Sequence, residues 1–443
     1  MFYLRDFKNF AQAELDLNSP VTMLIGPNGS GKSNIIEAVE LLAFLAEGGA
    51  LHDITDIGRG GKLEIRGGLD ACARRGTEEF TLGMEVKQGD VYEAVCGEWT
   101  YEITIRVGTD AAVVAEYLKQ GNRDTPVFEV RREGADAFAG NTVCYDNHAR
   151  GGRKPKETIP ANRSALSQYA RFAKSNDHLA RTLGFIDAVC LAFAAPSVFD
   201  PAPKMMRDHQ RVNERELART GFNLSPALNA LYTFKAGPKV AGKVTTLVRV
   251  DKNGIAGRIL SRIKQLPDEP FVGFRFDKTK SGDVMFGFSL PGGGKPVYAR
   301  VLSDGTLRAL AILTALETSP AGKRLILEEF DNGIHPSRVS ILTDAIFDCA
   351  KRSLLHVIAT THNPATLNAL TPEQLDSVIL TVHDHETHSA KLLPLRELPG
   401  YIDFIEQGRL GDLVTQRVYE KHLVPDYEKR RAERMQKSFA NLP

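Results

Sequence analysis

Between residues 26 and 34 the chain reads Gly26-Pro27-Asn28-Gly29-Ser30-Gly31-Lys32-Ser33-Asn34, and this stretch constrains the fold more than any other. The spacing G-x-x-x-x-G-K-[ST] needs a strand before it and a helix after it, because such a loop works by aiming backbone N–H groups and a helix N-terminus at a phosphate. Both flanks comply. Val21-Thr22-Met23-Leu24-Ile25 is an apolar run opened by β-branched residues, and Ile35, Ile36, Val39, Leu42 and Phe44-Leu45 recur at helical spacing until Gly48-Gly49. Glycines let the loop turn its amides inward, Lys32 adds a point charge at the β/γ end of a nucleotide, and Ser33 offers a hydroxyl to Mg²⁺. The stretch predicts a nucleoside triphosphate site. The alternative, a glycine-rich turn ahead of an ordinary helix, leaves the flanks unexplained.

Charge is nearly balanced: 25 % of residues are charged but the formal net charge is only +1. No global field draws the chain to nucleic acid or an anionic membrane, so any such contact must be local. The five cysteines (Cys72, Cys96, Cys144, Cys190, Cys349) are scattered and never form C-x-x-C. That pattern points to reduced thiols in a cytoplasm and offers no zinc hook or ribbon. No apolar run approaches membrane-spanning length, and Met1 opens a strand-like Phe2-Tyr3-Leu4 rather than a leader. The expected location is therefore cytoplasmic, with no membrane partner.

Along the chain, residues 2–7 and 13–17 read as a hairpin whose polar turn places Lys8 and Asn9 within reach of a purine base, although exposed turn residues are polar anyway. Strands are expected at 62–69, 79–86, 98–107 and 127–132, forming an antiparallel sheet. Residues 147–163 are glycine-, proline- and base-rich: Arg150, Arg153, Lys154, Lys156 and Arg163 face one acid, Glu157. This is a solvated loop or a contact for a phosphate backbone. Helical periodicity then takes over in Leu166, Tyr169, Ala170 and Ala173, and again in Ile186, Val189, Cys190 and Phe193, giving a small inserted helical lobe without the heptads of a coiled-coil arm. Further helices are expected at 223–232 and 258–266, and strands at 271–276, 284–290 and 297–302. Pro291-Gly292-Gly293-Gly294-Lys295 lacks the spacing and the helix of a second phosphate loop and reads as a hairpin turn.

Leu302-Ser303-Asp304-Gly305-Thr306 opens a predicted helix with Leu307, Leu310, Ala311 and Thr314 on its apolar face. A serine there is most often just an N-cap. The residues after the helix give Ser303 more weight. Leu325-Ile326-Leu327 ends in Glu328-Glu329, adjacent carboxylates at the C-terminal edge of an expected parallel sheet, where ligands sit. Like charges side by side are costly unless a cation or a catalytic task compensates, which assigns Glu328 to a Mg²⁺ shell and Glu329 to polarising an attacking water. Asn332-Gly333-Ile334-His335-Pro336 then turns into a helix with Pro336 near its first position. The apolar run 354–359 ends in Thr360-Thr361-His362-Asn363-Pro364. A lone histidine after a buried strand is usually structural, but His362 closes a series and is assigned a γ-phosphate contact. His383, His385 and His388 suggest a metal, yet the surrounding pattern predicts a polar hairpin tip. Lys429, Arg430, Arg431, Arg434 and Lys437 make a basic tail that is either solvated or a contact for a partner or DNA.

In this order, G-x-x-x-x-G-K-S, L-S-D-G-T, apolar strand plus E-E, N-G-I-H-P and T-H-N-P, the chain resembles the ABC-type ATPase heads of the SMC and RecF kind. It is most similar to the overcoming-lysogenization-defect (OLD) ATPases and related prokaryotic anti-phage systems. The carriers are I-G-P-N-G-S-G-K-S-N-I-I-E at Ile25 to Glu37, L-E-E-F-D-N-G-I-H-P, and G-F-N-L-S-P-A-L at Gly221 to Leu228. The resemblance implies ATP and Mg²⁺ as ligands and a head-to-head homodimer, or a higher homo-oligomer, in which Ser303, Asp304 and Gly305 of one subunit meet the nucleotide held by Lys32 of the other. It also calls for a Q-loop glutamine, for which Gln168 is the candidate, with a surface helix residue as the plain alternative. Family members with their own Toprim nuclease carry it after the last ATPase motif. The 81 residues after His362 show no E…D-x-D cluster, so none is expected here.

The expected fold is α/β, a P-loop ABC-type ATPase head whose mixed sheet carries an antiparallel subdomain, plus an inserted helical lobe. Its parts are residues 1–107 with the phosphate loop, an insertion at 108–240, the rest of the head with the signature, carboxylates and histidine at 241–375, and a C-terminal hairpin and tail at 376–443. The expected function is an ATPase, with Lys32, Glu329 and His362 catalytic, that gates a separate effector, a nuclease or toxin, in anti-phage defence. The rivals are a RecF-like DNA repair ATPase, a nucleotide-dependent scaffold and a transporter ATPase, the last opposed by the long insert and the S-D-G signature.

Overall fold

The computed structural model describes residues 1–88, 93, 97–121, 123–131, 140–148, 153–174, 178–193, 195–211, 216–236, 239–240, 243–244, 247–251, 254–267, 269–384, 387–423 and 427. Two compact units are each assembled from separated stretches of chain. The first comprises Met1–Ser19, Pro27–Pro196 and Thr381–Leu392, the second Pro20–Gly26, Ser197–Leu380 and Leu393–Pro443.

The first unit contains an antiparallel sheet. In spatial order, Lys156–Ile159, Asn141–Tyr145, Phe128–Arg131, Ala112–Gln120, Trp99–Arg106, Glu79–Val86, Phe2–Phe7 and Phe10–Leu15 each pair with the next. Trp99–Arg106 shows the physical cause: its strict alternation buries Trp99, Tyr101, Ile103 and Ile105 and leaves Thr100, Glu102, Thr104 and Arg106 half-covered on the other face. Trp99 and Tyr101 meet the ring of Phe193, at centroid distances of 5.6 and 5.1 Å, on the helix Leu179–Phe193. That helix and Ala165–Phe172 pack on the phosphate-loop helix Lys32–Ala46. Where a helical lobe is expected, the chain forms these two helices, packed within the first unit.

Several boundaries differ from expectation. The strand anticipated at 62–69 is only Leu63–Glu64, because Gly67 and Gly68 turn the chain at φ 79° and 68°. The second hairpin strand is Phe10–Leu15 rather than 13–17. Part of the basic loop is strand Lys156–Ile159. There, Lys154 pairs with Asp146 at 2.5 Å and Arg163 donates to the carbonyl of Gly48. Arg150 and the tail from Lys429 to Lys437 lie outside the described residues.

Glu116 is buried between the sheet and the helix Ala165–Phe172. Its carboxylate accepts hydrogen bonds from the amides of Ala165 (2.6 Å) and Leu166 (2.9 Å) and from the Tyr101 hydroxyl (3.0 Å). Burial nevertheless pushes its pKa up to about 7, against the lowering effect of those bonds.

The second unit holds a parallel sheet in the order Ser197–Phe199, Arg324–Leu327, His356–Thr361, Val21–Ile25, and then the start of Val378–Asp384. Val21–Ile25 and Arg324–Leu327 are buried throughout and apolar except for Thr22 and Arg324, as strands covered on both faces tend to be. The helices Asp304–Thr318 and Pro336–Ser353 pack on each other, and the second also packs on this sheet. Glu317, whose side chain is only 2 % exposed, ties the first of them to Arg258 and Arg352, each at 2.7 Å. Burial would raise its pKa, but the two guanidiniums overcome that and hold the carboxyl below its ordinary range. A smaller antiparallel sheet joins Gly273–Lys278, Val284–Ser289 and Val297–Tyr298, so Pro291 to Lys295 is the hairpin turn that its spacing predicts. The strand anticipated at 297–302 ends at Tyr298 in a single tight turn, Ala299–Val301. The fold class is α/β, as the sequence predicts, with parallel and antiparallel pairing both present.

Glu116 supplies a test. An acid with a raised folded pKa favours the fold fully below its unfolded pKa of about 4.5 and loses that contribution as pH climbs through about 7. Thermal melts at several pH values between about 5 and 8.5 should show wild type losing Tm relative to Glu116→Gln as pH rises. Parallel curves would remove Glu116 as the titrating group.

Candidate nucleotide site

Register decides which groups meet at the sheet edge. Leu327 lies opposite Ala359 and Thr361 opposite Ile25, so two adjacent parallel strands end level, the third stops two residues earlier, and Glu328-Glu329 runs on beside the end of its neighbour. Gly26 leaves one end, Glu328-Glu329 a second and His362 the third. In open α/β sheets this is where ligands bind.

The phosphate loop continues from Gly26 into the first unit. The helix starts at Lys32 with Gly31 as its N-cap at φ 114°, and no side chain among the described residues caps it. An uncapped N-terminus leaves donors and the positive end of the dipole for an anion. Lys32 is 7 % exposed, and its Nζ donates to the carbonyl of Pro27 at 3.0 Å, curling the loop round its own lysine. A Cβ on Gly31 would stand 2.8 Å from the Phe10 ring and 2.9 Å from Asn9 Nδ2, so glycine is required twice over.

The hairpin turn braces this loop. Asn9 Nδ2 donates to the Ser30 carbonyl at 3.2 Å, and its Oδ1 accepts from Asn34 Nδ2 at 2.7 Å. Lys8 pairs with Glu37, which also accepts from Arg66 Nε at 2.8 Å. The structure therefore commits Lys8 and Asn9, read from the sequence as reaching a base, to holding the loop and its helix. Glu37 and Arg66 were not legible as supports: a glutamate on a helix and an arginine near a turn carry no spacing signal.

In the second unit the structure brings Glu329 and His362 together, with His362 Nδ1 3.6 Å from Glu329 Oε1. Glu329 sits at φ 42°, and its amide donates to Thr360 Oγ1 at 2.9 Å. Asp331, 2 % exposed, accepts from the hydroxyls of Thr361 (2.6 Å) and Thr366. Burial raises the Asp331 pKa, with those hydroxyls and the nearby His362 opposing. Glu328 is met by Arg219, whose Nη2 donates to its Oε1 at 2.9 Å. Pro336 opens its helix behind the N-cap His335, as anticipated.

Ser303 is the N-cap of Asp304–Thr318, accepting from the Thr306 amide at 3.1 Å, and Asp304 pairs with Arg207. Ser303 and Asp304 remain exposed. A Cβ on Gly305 would lie 3.2 Å from the carbonyl of Gly333, so the signature sits beside the turn just beyond the two carboxylates. Gln168 is placed differently from a ligand-facing residue. It is 4 % exposed, and its amide donates to the carbonyls of Arg163 (3.3 Å) and Ser164 (3.2 Å) inside the first unit. Of the three histidines near the C-terminus, His383 and His388 flank the tip between Val378–Asp384 and Ser389–Pro394, while His385 lies outside the described residues.

A phosphate loop after one parallel strand, paired carboxylates and a histidine after its neighbours, and a serine-capped signature helix define an ABC-type P-loop ATPase of the SMC and RecF group. The chain belongs to the family described as AAA domain, putative AbiEii toxin, Type IV TA system, which it matches over residues 21–368. It is similar to the DNA replication and repair protein RecF of Gloeobacter violaceus, 53 % identical over 86 residues that make up 19 % of this chain and 22 % of that protein. The RecF of Rhizobium leguminosarum bv. trifolii is 36 % identical over 117 residues, 26 % of this chain and 28 % of that protein. These matches span less than a third of either relative's length. Among solved structures, the SMC head bound to the C-winged helix domain of ScpA overlaps with a TM-score of 0.48 at 13 % identity, covering 88 % of this chain and 96 % of its own. The SMC head domain from Thermotoga maritima gives 0.42 at 14 % identity, over 89 % and 97 %. No helix among the described residues is long and apolar enough to cross a membrane.

The loop geometry predicts that Gly31→Ala keeps the fold but weakens nucleotide binding by about tenfold or more, since a strained backbone and a displaced Phe10 cost on the order of 1–3 kcal/mol. Equilibrium titration with a fluorescent ATP analogue, beside circular dichroism, measures it. Wild-type affinity would show that the Phe10 contact does not shape the loop.

Proposed function

We propose that this protein hydrolyses ATP with Mg²⁺, closes as a head-to-head homodimer around the nucleotide, and uses that closure to gate a separate effector, a nuclease or toxin, in prokaryotic anti-phage defence. The observation that carries the reading is the pairing of Glu329 with His362, with Glu329 held in a left-handed backbone conformation by Thr360. A general base must be oriented, and an orienting partner 3.6 Å away on the neighbouring strand's end supplies that.

The roles follow from side-chain chemistry. Lys32 and the backbone N–H groups of Asn28 to Asn34 hold the phosphates. The hydroxyl of Ser33 and the carboxylate of Glu328 are hard oxygen donors of the kind Mg²⁺ accepts. When bound, Mg²⁺ neutralises charge on the β and γ oxygens. Glu329 takes the proton of the attacking water, and His362 donates to the γ-phosphate. Ser303 of the partner subunit, exposed at a helix N-terminus with Asp304 and Gly305, caps the same phosphate. Gln168 stays outside this set, since its amide is spent on carbonyls of its own unit.

A second reading, direct action on DNA, is favoured by the RecF relatives. It is weakened by the near-zero net charge and by the engagement of Lys154 and Arg163 within the chain. If DNA is bound, log affinity should fall linearly with log salt, and neutralising Arg153, Lys154, Lys156 and Arg163 should flatten the slope. Salt-insensitive or absent binding favours effector gating.

Glu329→Gln should bind ATP normally, hydrolyse it roughly a hundredfold more slowly and accumulate closed dimers, because it loses the base but keeps the phosphate and metal ligands. Turnover within a few-fold of wild type would remove Glu329 from the role.

Trans action of the signature has its own test. Lys32→Ala and Ser303→Arg homodimers should each be inactive, whereas their equal mixture should recover up to about a quarter of wild-type activity, one composite site in each mixed dimer being intact. With mixed dimers proven by differential tags, no recovery would place Ser303 in cis or make both sites fire together.

A further inference from the structure

Arg219 is more than a neighbour of Glu328. The loop that carries it is fixed to the strand pair that presents that carboxylate. The amide of Asp200 donates to the Arg219 carbonyl at 3.0 Å and that of Ala202 to the Thr220 carbonyl at 2.9 Å, so the loop is stitched to the chain leaving Ser197–Phe199. Phe199 in turn accepts the Glu328 amide at 3.1 Å. Asn223, 1 % exposed, closes the base of the loop: its Oδ1 accepts from the Ala218 amide at 2.8 Å, and its Nδ2 donates to the Glu216 carbonyl at 2.6 Å. Gly221 turns at φ 69°, with Met206 Cε 2.6 Å from where a Cβ would be.

Hydrogen bonds fix this backbone on both sides of Arg219. The Arg219 side chain keeps 50 % of its surface in solvent and Glu328 keeps 22 %. A pair this exposed is weak, worth no more than about fivefold in an equilibrium. A weak cation placed on an acidic side chain beside a second carboxylate relieves like-charge repulsion and can be displaced by a denser charge.

We infer that Arg219 is a positioning residue that competes with Mg²⁺ for Glu328. Its guanidinium orients and neutralises the carboxylate while the metal is absent and gives way when the metal arrives with nucleotide. The inference rests on the proposed place of Glu328 in the Mg²⁺ shell. Its consequence is a threshold: the site distinguishes metal-loaded from metal-free nucleotide by what each can displace.

The test is equilibrium binding of a fluorescent, non-hydrolysable ATP analogue to the full chain at graded free Mg²⁺, with Mn²⁺ uptake by electron paramagnetic resonance as a second readout. Arg219→Ala should reach half-saturation at about two- to fivefold lower Mg²⁺ than wild type, the gain set by the strength of an exposed pair. Arg219→Lys, which keeps the charge, should stay near wild type, and Mn²⁺ uptake should shift in the same sense. Arg219→Gln serves as the second neutral variant if the alanine chain does not fold. A Mg²⁺ requirement that is unchanged in the neutral variants would make Arg219 a loop support only. A higher one would make it a nucleotide ligand. Either result overturns the competition. Glu328→Gln separates the two levels: if it leaves the Mg²⁺ requirement of wild type intact, the metal assignment itself fails and the competition with it. If it raises the requirement while Arg219→Ala changes nothing, only the competition fails.

Discussion

The carboxyl edge of the second unit depends on one register. Leu327 opposite Phe199 and Ala359, and Thr361 opposite Ile25, end four parallel strands as two level pairs offset by two residues. A slip of one residue in any pairing would exchange the two faces of that strand and carry its terminal residues away from the edge. Asp331 is the clasp against such a slip. Its buried carboxylate, reached from the end of one strand, is gripped by a hydroxyl at the end of the next and by another on the short helix beyond. Thr360 adds a second fastening through the Glu329 amide. Four-residue strands such as Arg324–Leu327 have few ladder bonds of their own, so these side-chain bonds carry a large share of the alignment.

The first unit solves a different problem, holding open a loop that cannot hold itself. Glycines at φ 80° and 114° give the loop its shape and also its freedom. The hairpin turn removes that freedom from outside, through Asn9 on the Ser30 carbonyl and the Phe10 ring against Gly31. Lys8 and Arg66 converge on Glu37 one turn into the helix, so the helix and the turn move as one piece. Preorganisation of this kind reduces the ordering cost of binding an anion.

How much of this was legible depends on where the signals lie. Motifs with fixed spacing announce themselves, so the phosphate loop, the Glu328-Glu329 pair, the Ser303 cap and the turn at Pro336 fall where the residues place them. Trp99–Arg106 was readable because one face is buried and the other half-covered, and Glu79–Val86 because Phe80, Leu82, Met84 and Val86 recur at every second position. Ala112–Gln120 was not, since its buried positions include Glu116, a charge in the middle of a strand. Arg219 and Asn9 act through partners 109 and 21 residues away, and no local pattern encodes such distances. Gln168, the candidate for the glutamine that the resemblance calls for, donates to the carbonyls of Arg163 and Ser164 beside the start of its own helix, which no local pattern announces.

With the role proposed for Glu329, its left-handed backbone would set stability against activity. A residue with a Cβ pays conformational energy at φ 42° that glycine would not. Replacing it by glycine would therefore relax the chain while removing the carboxylate that the proposed mechanism uses as its base. Selection for heat resistance alone would drift toward that position, whereas selection for work keeps a strained acid there. A glutamate standing where the backbone prefers glycine is the strain that the proposed chemistry would have to justify.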